Sequence, residues 1–109
     1  MAPNFDVIRE AFCLGTYLFT ATGLPKMLKR GIRVEDVEEA ICRDAPEIIE
    51  DYPEDVRGHS CLMVGETPQG RTVHVVCSPK DEYLAIITAY IPDPAEWDET
   101  GRKRRSATQ

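Results

Sequence analysis

Three apolar runs in the second half of the chain, each about one strand long and parted by short turns, restrict its fold most strongly. Ser60-Cys-Leu-Met-Val-Gly-Glu-Thr67 ends at Pro68-Gln69-Gly70, a tight connection into Arg71-Thr-Val-His-Val-Val-Cys77. Pro79-Lys-Asp-Glu82 makes the next turn, into a strand from Tyr83 to Ile91. A further strand, Glu47-Ile-Ile-Glu-Asp-Tyr52, precedes them across the turn-rich loop Pro53–His59. Connections this short join antiparallel neighbours, since a parallel pair needs a crossover of roughly a dozen residues. The second half is therefore expected to be a four-stranded antiparallel meander.

The first half has helical spacing. Asn4 can cap a helix whose apolar residues Phe5, Ile8, Ala11 and Phe12 share one face, with Gly15 placed to end it. Tyr17-Leu-Phe-Thr20 has the composition of a short strand, expected at a sheet edge. Pro25 has no N–H and belongs in a first helical turn, so a second helix starts near Gly23 or Leu24 and closes at Gly31. Leu24, Met27 and Leu28 form its apolar stripe, leaving Lys26, Lys29 and Arg30 on the other side. A third helix carries Val34, Val37 and Ile41, with Glu35 and Asp36 suiting its N-terminal dipole. Helices first and sheet second make an α+β fold with the helices packed on the sheet. Residues 1–97 read as a single domain, and 98–109 as a flexible, basic polar tail.

The net charge of −6 argues against a general nucleic-acid binder, but it is unevenly spread. Residues 1–34 carry five basic and two acidic groups, residues 35–58 two and ten, and residues 59–109 six and seven. A local basic surface can therefore exist on an acidic protein, and a polyanion responds to the local potential. No apolar run reaches the ~20 residues of a membrane span, and no signal peptide opens the chain, so a cytoplasmic location is expected. Cys13, Cys42, Cys61 and Cys77 form no C-x-x-C pair and have no His at ligand spacing, so neither zinc nor another cofactor is expected. Phosphate-loop, dinucleotide, zinc-protease and nucleophile-elbow motifs do not occur.

Chemistry is left to a few side chains. His74, inside an otherwise apolar strand, is either a half-buried, hydrogen-bonded imidazole or a general acid–base. Strand alternation sets it with Thr72 and Val76, and sets Tyr90 with Ile86 and Thr88. Tyr90 either packs in the core or orients a phosphate or ribose. Lys26, Lys29 and Arg30 either form a solvated face or hold a phosphodiester. Arg102, Arg104 and Arg105 belong to a basic arm that either grips RNA or keeps the terminus soluble. His59, in an acidic loop, reads as incidental.

The segments Phe19-Thr20, Met27-Leu-Lys-Arg-Gly-Ile32, Asp36-Val-Glu-Glu-Ala-Ile41, Glu47 to Pro53, Ser60 to Gly65, Gly70-Arg71, Val73-His-Val-Val76 and Ile87-Thr-Ala-Tyr90 through Trp97 resemble, in this order, the domain of unknown function 4258 family. That small bacterial family is similar to the RelE and BrnT toxin ribonucleases. The resemblance implies helices against an antiparallel sheet, and metal-independent RNA cleavage that activates a ribose 2′-OH. It implies Lys26 and Arg30 as phosphate-holding residues, Lys26, His74 and Tyr90 as the catalytic set, and an antitoxin-like protein or RNA as partner. The family's first helix usually reads Phe-Thr-x-His-Ala-x-x-Arg-Met-x-x-Arg-Gly-Ile. Here Thr22 replaces the His, Gly23 the Ala and Lys26 the Arg, so the implied site is degenerate. A non-catalytic relative that binds protein or RNA through the same surface is the alternative.

Overall fold

The computed structural model describes residues 5–42, 47–56 and 58–105. Three helices, α1 (Phe5–Leu14), α2 (Gly23–Lys29) and α3 (Val34–Cys42), pack on a sheet of five strands: β1 (Tyr17–Phe19), β2 (Glu47–Tyr52), β3 (Ser60–Glu66), β4 (Thr72–Pro79) and β5 (Leu84–Tyr90). The strand order is β1-β5-β4-β3-β2. β2 to β5 form the expected antiparallel meander. β1 adds the expected short edge but runs parallel to β5, so the open sheet is mixed.

Local chemistry sets the helix limits. Asn4 lies outside the described residues, but α1 ends as expected, the Thr16 N–H donating to the Ala11 carbonyl at 2.9 Å beside Gly15. α2 holds Pro25 in its first turn, where no N–H is needed. It closes at Gly31, whose φ of +76° favours glycine, with the Ile32 N–H returning to the Met27 carbonyl at 3.2 Å. Met27 and Ile32 are both fully buried, which seals that cap. Leu28 does not join the stripe and is 52% exposed, because this seven-residue helix packs mainly on β5. At the start of α3, the Arg33 N–H donates to Asp36 Oδ2 at 2.8 Å, closing the first turn.

The sheet is buried on both faces. Toward the helices, Met63, Val73, Val75, Cys77, Ile86 and Ala89 pack with Ile8, Phe12, Met27, Ile32, Val37 and Ile41. On the other face Leu62, Val76 and Ile87 pack with Trp97, flanked by Ile49, Tyr52 and Tyr90. The expected pairing of Tyr90 with Ile86 on one face is corrected here. Val76 pairs with Thr88 and Cys77 with Ile86, so Ile87 is an extra residue in β5. This bulge reverses the alternation and puts Tyr90 on the far face with His74.

Residues 98–105, the described part of the basic segment, lie against the sheet. Trp97 and Arg104 form a bridge, the Asp98 N–H donates to the Lys103 carbonyl at 2.9 Å, and the Arg105 N–H to the Glu96 carbonyl at 2.7 Å. Arg102 pairs with Glu47, and Arg104 grips both oxygens of Glu50 at 2.6 and 2.9 Å. Two arginines of the basic run thus meet acidic groups of β2, and the segment forms a strap across the far face of the sheet.

Candidate anion-binding cleft

Because β1 stops at Phe19, it pairs only with Leu84 to Ile86, and the next part of the β5 edge needs other donors. The Thr20 N–H donates to the Ile86 carbonyl at 3.0 Å and its hydroxyl to the Ile87 carbonyl at 3.2 Å. Thr20 Oγ1 also accepts the Gly23 N–H at 3.0 Å, so the same residue ends the strand and starts α2. Arg30, one turn beyond Lys26, completes the edge. Its Nη1 donates to Thr88 Oγ1 and to the Ala89 carbonyl, both at 3.1 Å.

Gly23 lets α2 come this close. A Cβ there would stand 2.0 Å from the Ile87 carbonyl oxygen and 2.7 Å from Thr20 Oγ1. Between helix and edge lies a cleft of about 210 Å³ lined by Thr22, Gly23, Lys26, Arg30, Ile87 and Thr88. Lys26 has no hydrogen bond or ion pair with any described residue, and Arg30 has Nε and Nη2 left over. Two cations and two hydroxyls therefore converge without a carboxylate, a donor set that suits a phosphate or another oxyanion.

The other expected site residues fall elsewhere. Lys29 is exposed on α2 outside the cleft. Arg102 and Arg104 are bound to β2, and Arg105 donates from Nε to the Pro94 carbonyl at 2.7 Å. Tyr90 lies beside the cleft, 6.0 Å from the Arg30 guanidinium and 5.3 Å from the His74 ring. Thr20, Gly23 and Thr88 were not legible as site residues, although the Phe19-Thr20 segment was part of the resemblance.

His74 is fully buried beneath the strap. Its ring meets Trp97 edge-on at 4.5 Å, and Nε2 lies 2.6 Å from the Gly101 carbonyl. A carbonyl only accepts, so the proton sits on Nε2 and leaves Nδ1 as a buried acceptor with no partner among the described residues. Gly101 makes that approach with φ +72°, and a Cβ there would stand 2.8 Å from Thr72 Cγ2. Burial holds the imidazole below its ordinary pKa, outweighing the opposite pulls of Gly101 and Glu50. Next to it, the Arg104 guanidinium lowers the Glu50 carboxyl, and burial raises the Tyr52 phenol that donates to Glu50.

The depressed pKa has a measurable sign. Unfolded His74 takes up a proton near pH ~6.5, whereas the folded ring does so only at lower pH. Its contribution to stability is complete above ~6.5 and falls as the pH drops toward the folded value. Urea unfolding at stepped pH should show this acid-side loss, and His74→Phe should flatten it. An unchanged slope in the variant would mean that His74 is not the group responsible.

Compared with known families, residues 19–91 match the domain of unknown function named DUF4258. The chain belongs to that family. Nothing among the curated proteins or the solved structures matches it. The match runs from Phe19, the last residue of β1, past β5 and takes in α2 and α3, so both sides of the cleft lie inside the DUF4258 region. No described helix is long and apolar enough to cross a membrane. No group of three or more candidate metal ligands occurs among the described residues.

Proposed function

We propose that this DUF4258 protein binds RNA without cutting it, holding a backbone phosphate in the cleft between α2 and β5. The observation that carries this reading is the convergence of Lys26 and Arg30 with Thr22 and Thr88 while His74 is sealed under Trp97. Lys26 supplies a mobile point charge, and Arg30 a guanidinium already oriented by Thr88 and Ala89. Tyr90, half-buried beside Arg30, can contact the adjoining ribose or base. RNA is proposed as the phosphodiester on the sequence resemblance to toxin ribonucleases alone, an analogy that raises the expectation of RNA without establishing it.

Cleavage through His74 is the weaker reading, since that imidazole would have to leave Gly101 and Trp97 to meet a ribose. An antitoxin-like protein, the other partner implied by the resemblance, would compete for the same basic helix.

Anisotropy of a labelled single-stranded RNA in EDTA tests the proposal. Lys26→Ala should weaken binding roughly five- to tenfold and lower the slope of log affinity against log salt by about 0.7. Absence of salt-dependent binding, or indifference to Lys26→Ala, would overturn the assignment. Shortened RNA after incubation would restore the nuclease.

A further inference from the structure

A second chemical feature lies away from the cleft, where the last turns of α1 and α3 meet. Cys13 and Cys42 are 29 residues apart in sequence, yet their Sγ atoms are 2.9 Å apart. Cys13 is exposed and Cys42 half-buried. An open hollow of about 310 Å³, lined by Phe12, Cys13, Glu38, Glu39 and Cys42, gives access from solvent. Closing the gap to a bond of ~2.05 Å takes less than about 1 Å of movement. The chain contains its own contrast, because Cys61 and Cys77 face each other across β3 and β4 at 3.8 Å with both side chains fully buried.

We propose that Cys13 and Cys42 are a reversible dithiol–disulfide site, oxidised by a small disulfide to a bond that staples α1 to α3. The exposed Cys13 thiolate attacks one sulfur of the incoming disulfide, forming a mixed disulfide and releasing one small thiolate. Cys42 then attacks Cys13 Sγ, releasing the second. The two protein thiols are oxidised, the small disulfide is reduced to two thiols, and the two protein protons pass to the two leaving thiolates. Cys13, the exposed thiol, is the first nucleophile, and Cys42, half-buried with its thiol pushed up by burial and by the neighbouring Cys13, is the resolving one. Glu38 and Glu39 line the approach, so a neutral or cationic disulfide enters more readily than an anionic one.

The bond would close a loop that contains all of β1 and α2. Thiol oxidation would therefore constrain the segment carrying Lys26 and Arg30, whether or not RNA is its ligand.

The test treats the folded full chain with hydroxyethyl disulfide, traps free thiols with iodoacetamide after denaturation, and maps peptides by mass. The expected product links Cys13 to Cys42, leaves Cys61 and Cys77 alkylated, reverts with dithiothreitol and melts roughly 10 °C higher than the reduced chain. Cys42→Ser should stop at the mixed disulfide on Cys13. A persistent adduct on Cys13 in the unsubstituted chain, unmodified Cys13, or equal oxidation of Cys61 and Cys77 would each overturn the proposal.

Discussion

Trp97→Ala is expected to destabilise the protein by about 3–5 kcal/mol, the cost of emptying a large aromatic site in a packed core. Trp97 is only 3% exposed and packs with Leu62, Val76 and Ile87 on the far face of the sheet. Its ring closes over His74 at 4.5 Å, and the Arg104 guanidinium covers it at 4.5 Å. One substitution therefore removes apolar burial, the roof of the imidazole and the anchor of the strap. Arg104→Ala should cost much less, about 1 kcal/mol, because that side chain is half exposed. The urea midpoint, read with its slope, checks both values. A loss under about 1 kcal/mol for Trp97→Ala would mean that the strap does not hold this face closed. The same variant also bears on function. If unroofing His74 produced RNA cleavage, the strap would be the restraint on a latent nuclease and the binding proposal would fall.

The strands and helix ends were legible because their determinants are local. Pro68-Gln69-Gly70 and the turn after Pro79 part the strands, while Pro25 and Gly31 limit α2, all within a few residues of the structure they specify. The bulge was not legible. Ile86, Ile87 and Thr88 fit a strand equally well with or without an extra residue, and only pairing with Val76 and Cys77 shows that one is present. Docking of the basic strap was hidden for a similar reason. Arg102 and Arg104 find Glu47 and Glu50 more than fifty residues away, so by composition alone the run looks like a solvated tail.

His74 combines both situations. Its strand placement could be read from alternation, whereas its isolation depends on Trp97 and Gly101 returning across the sheet. Lys26 and Arg30 were legible as a basic pair on a helix. The cleft they share depends on Thr88 and on the missing Cβ of Gly23, which have meaning only once α2 rests on β5.

Gly23→Ala is expected to reverse the usual effect of that exchange. In an ordinary helix, replacing Gly by Ala gains about 0.5–1 kcal/mol. Here the new methyl would meet the Ile87 carbonyl oxygen at 2.0 Å, and no side-chain rotation can move a backbone oxygen away. α2 must lift from β5, straining the Thr20 bond to Ile87 and the Arg30 bonds to Thr88 and Ala89. A net loss of about 1–3 kcal/mol is expected, as for other overpacked sites. Under the proposed function RNA affinity should fall with it, because Arg30 leaves the position that completes the cleft. Thr22→His provides the comparison. Thr22 is exposed and its side chain makes no capping hydrogen bond, so this change should leave stability within about 0.5 kcal/mol while restoring the family's imidazole. The family's usual His-Ala pair therefore separates into a residue this chain can accept and one it cannot. If Gly23→Ala instead stabilised the protein, the close seating of α2 on β5 would be wrong, and with it the shape of the proposed phosphate site.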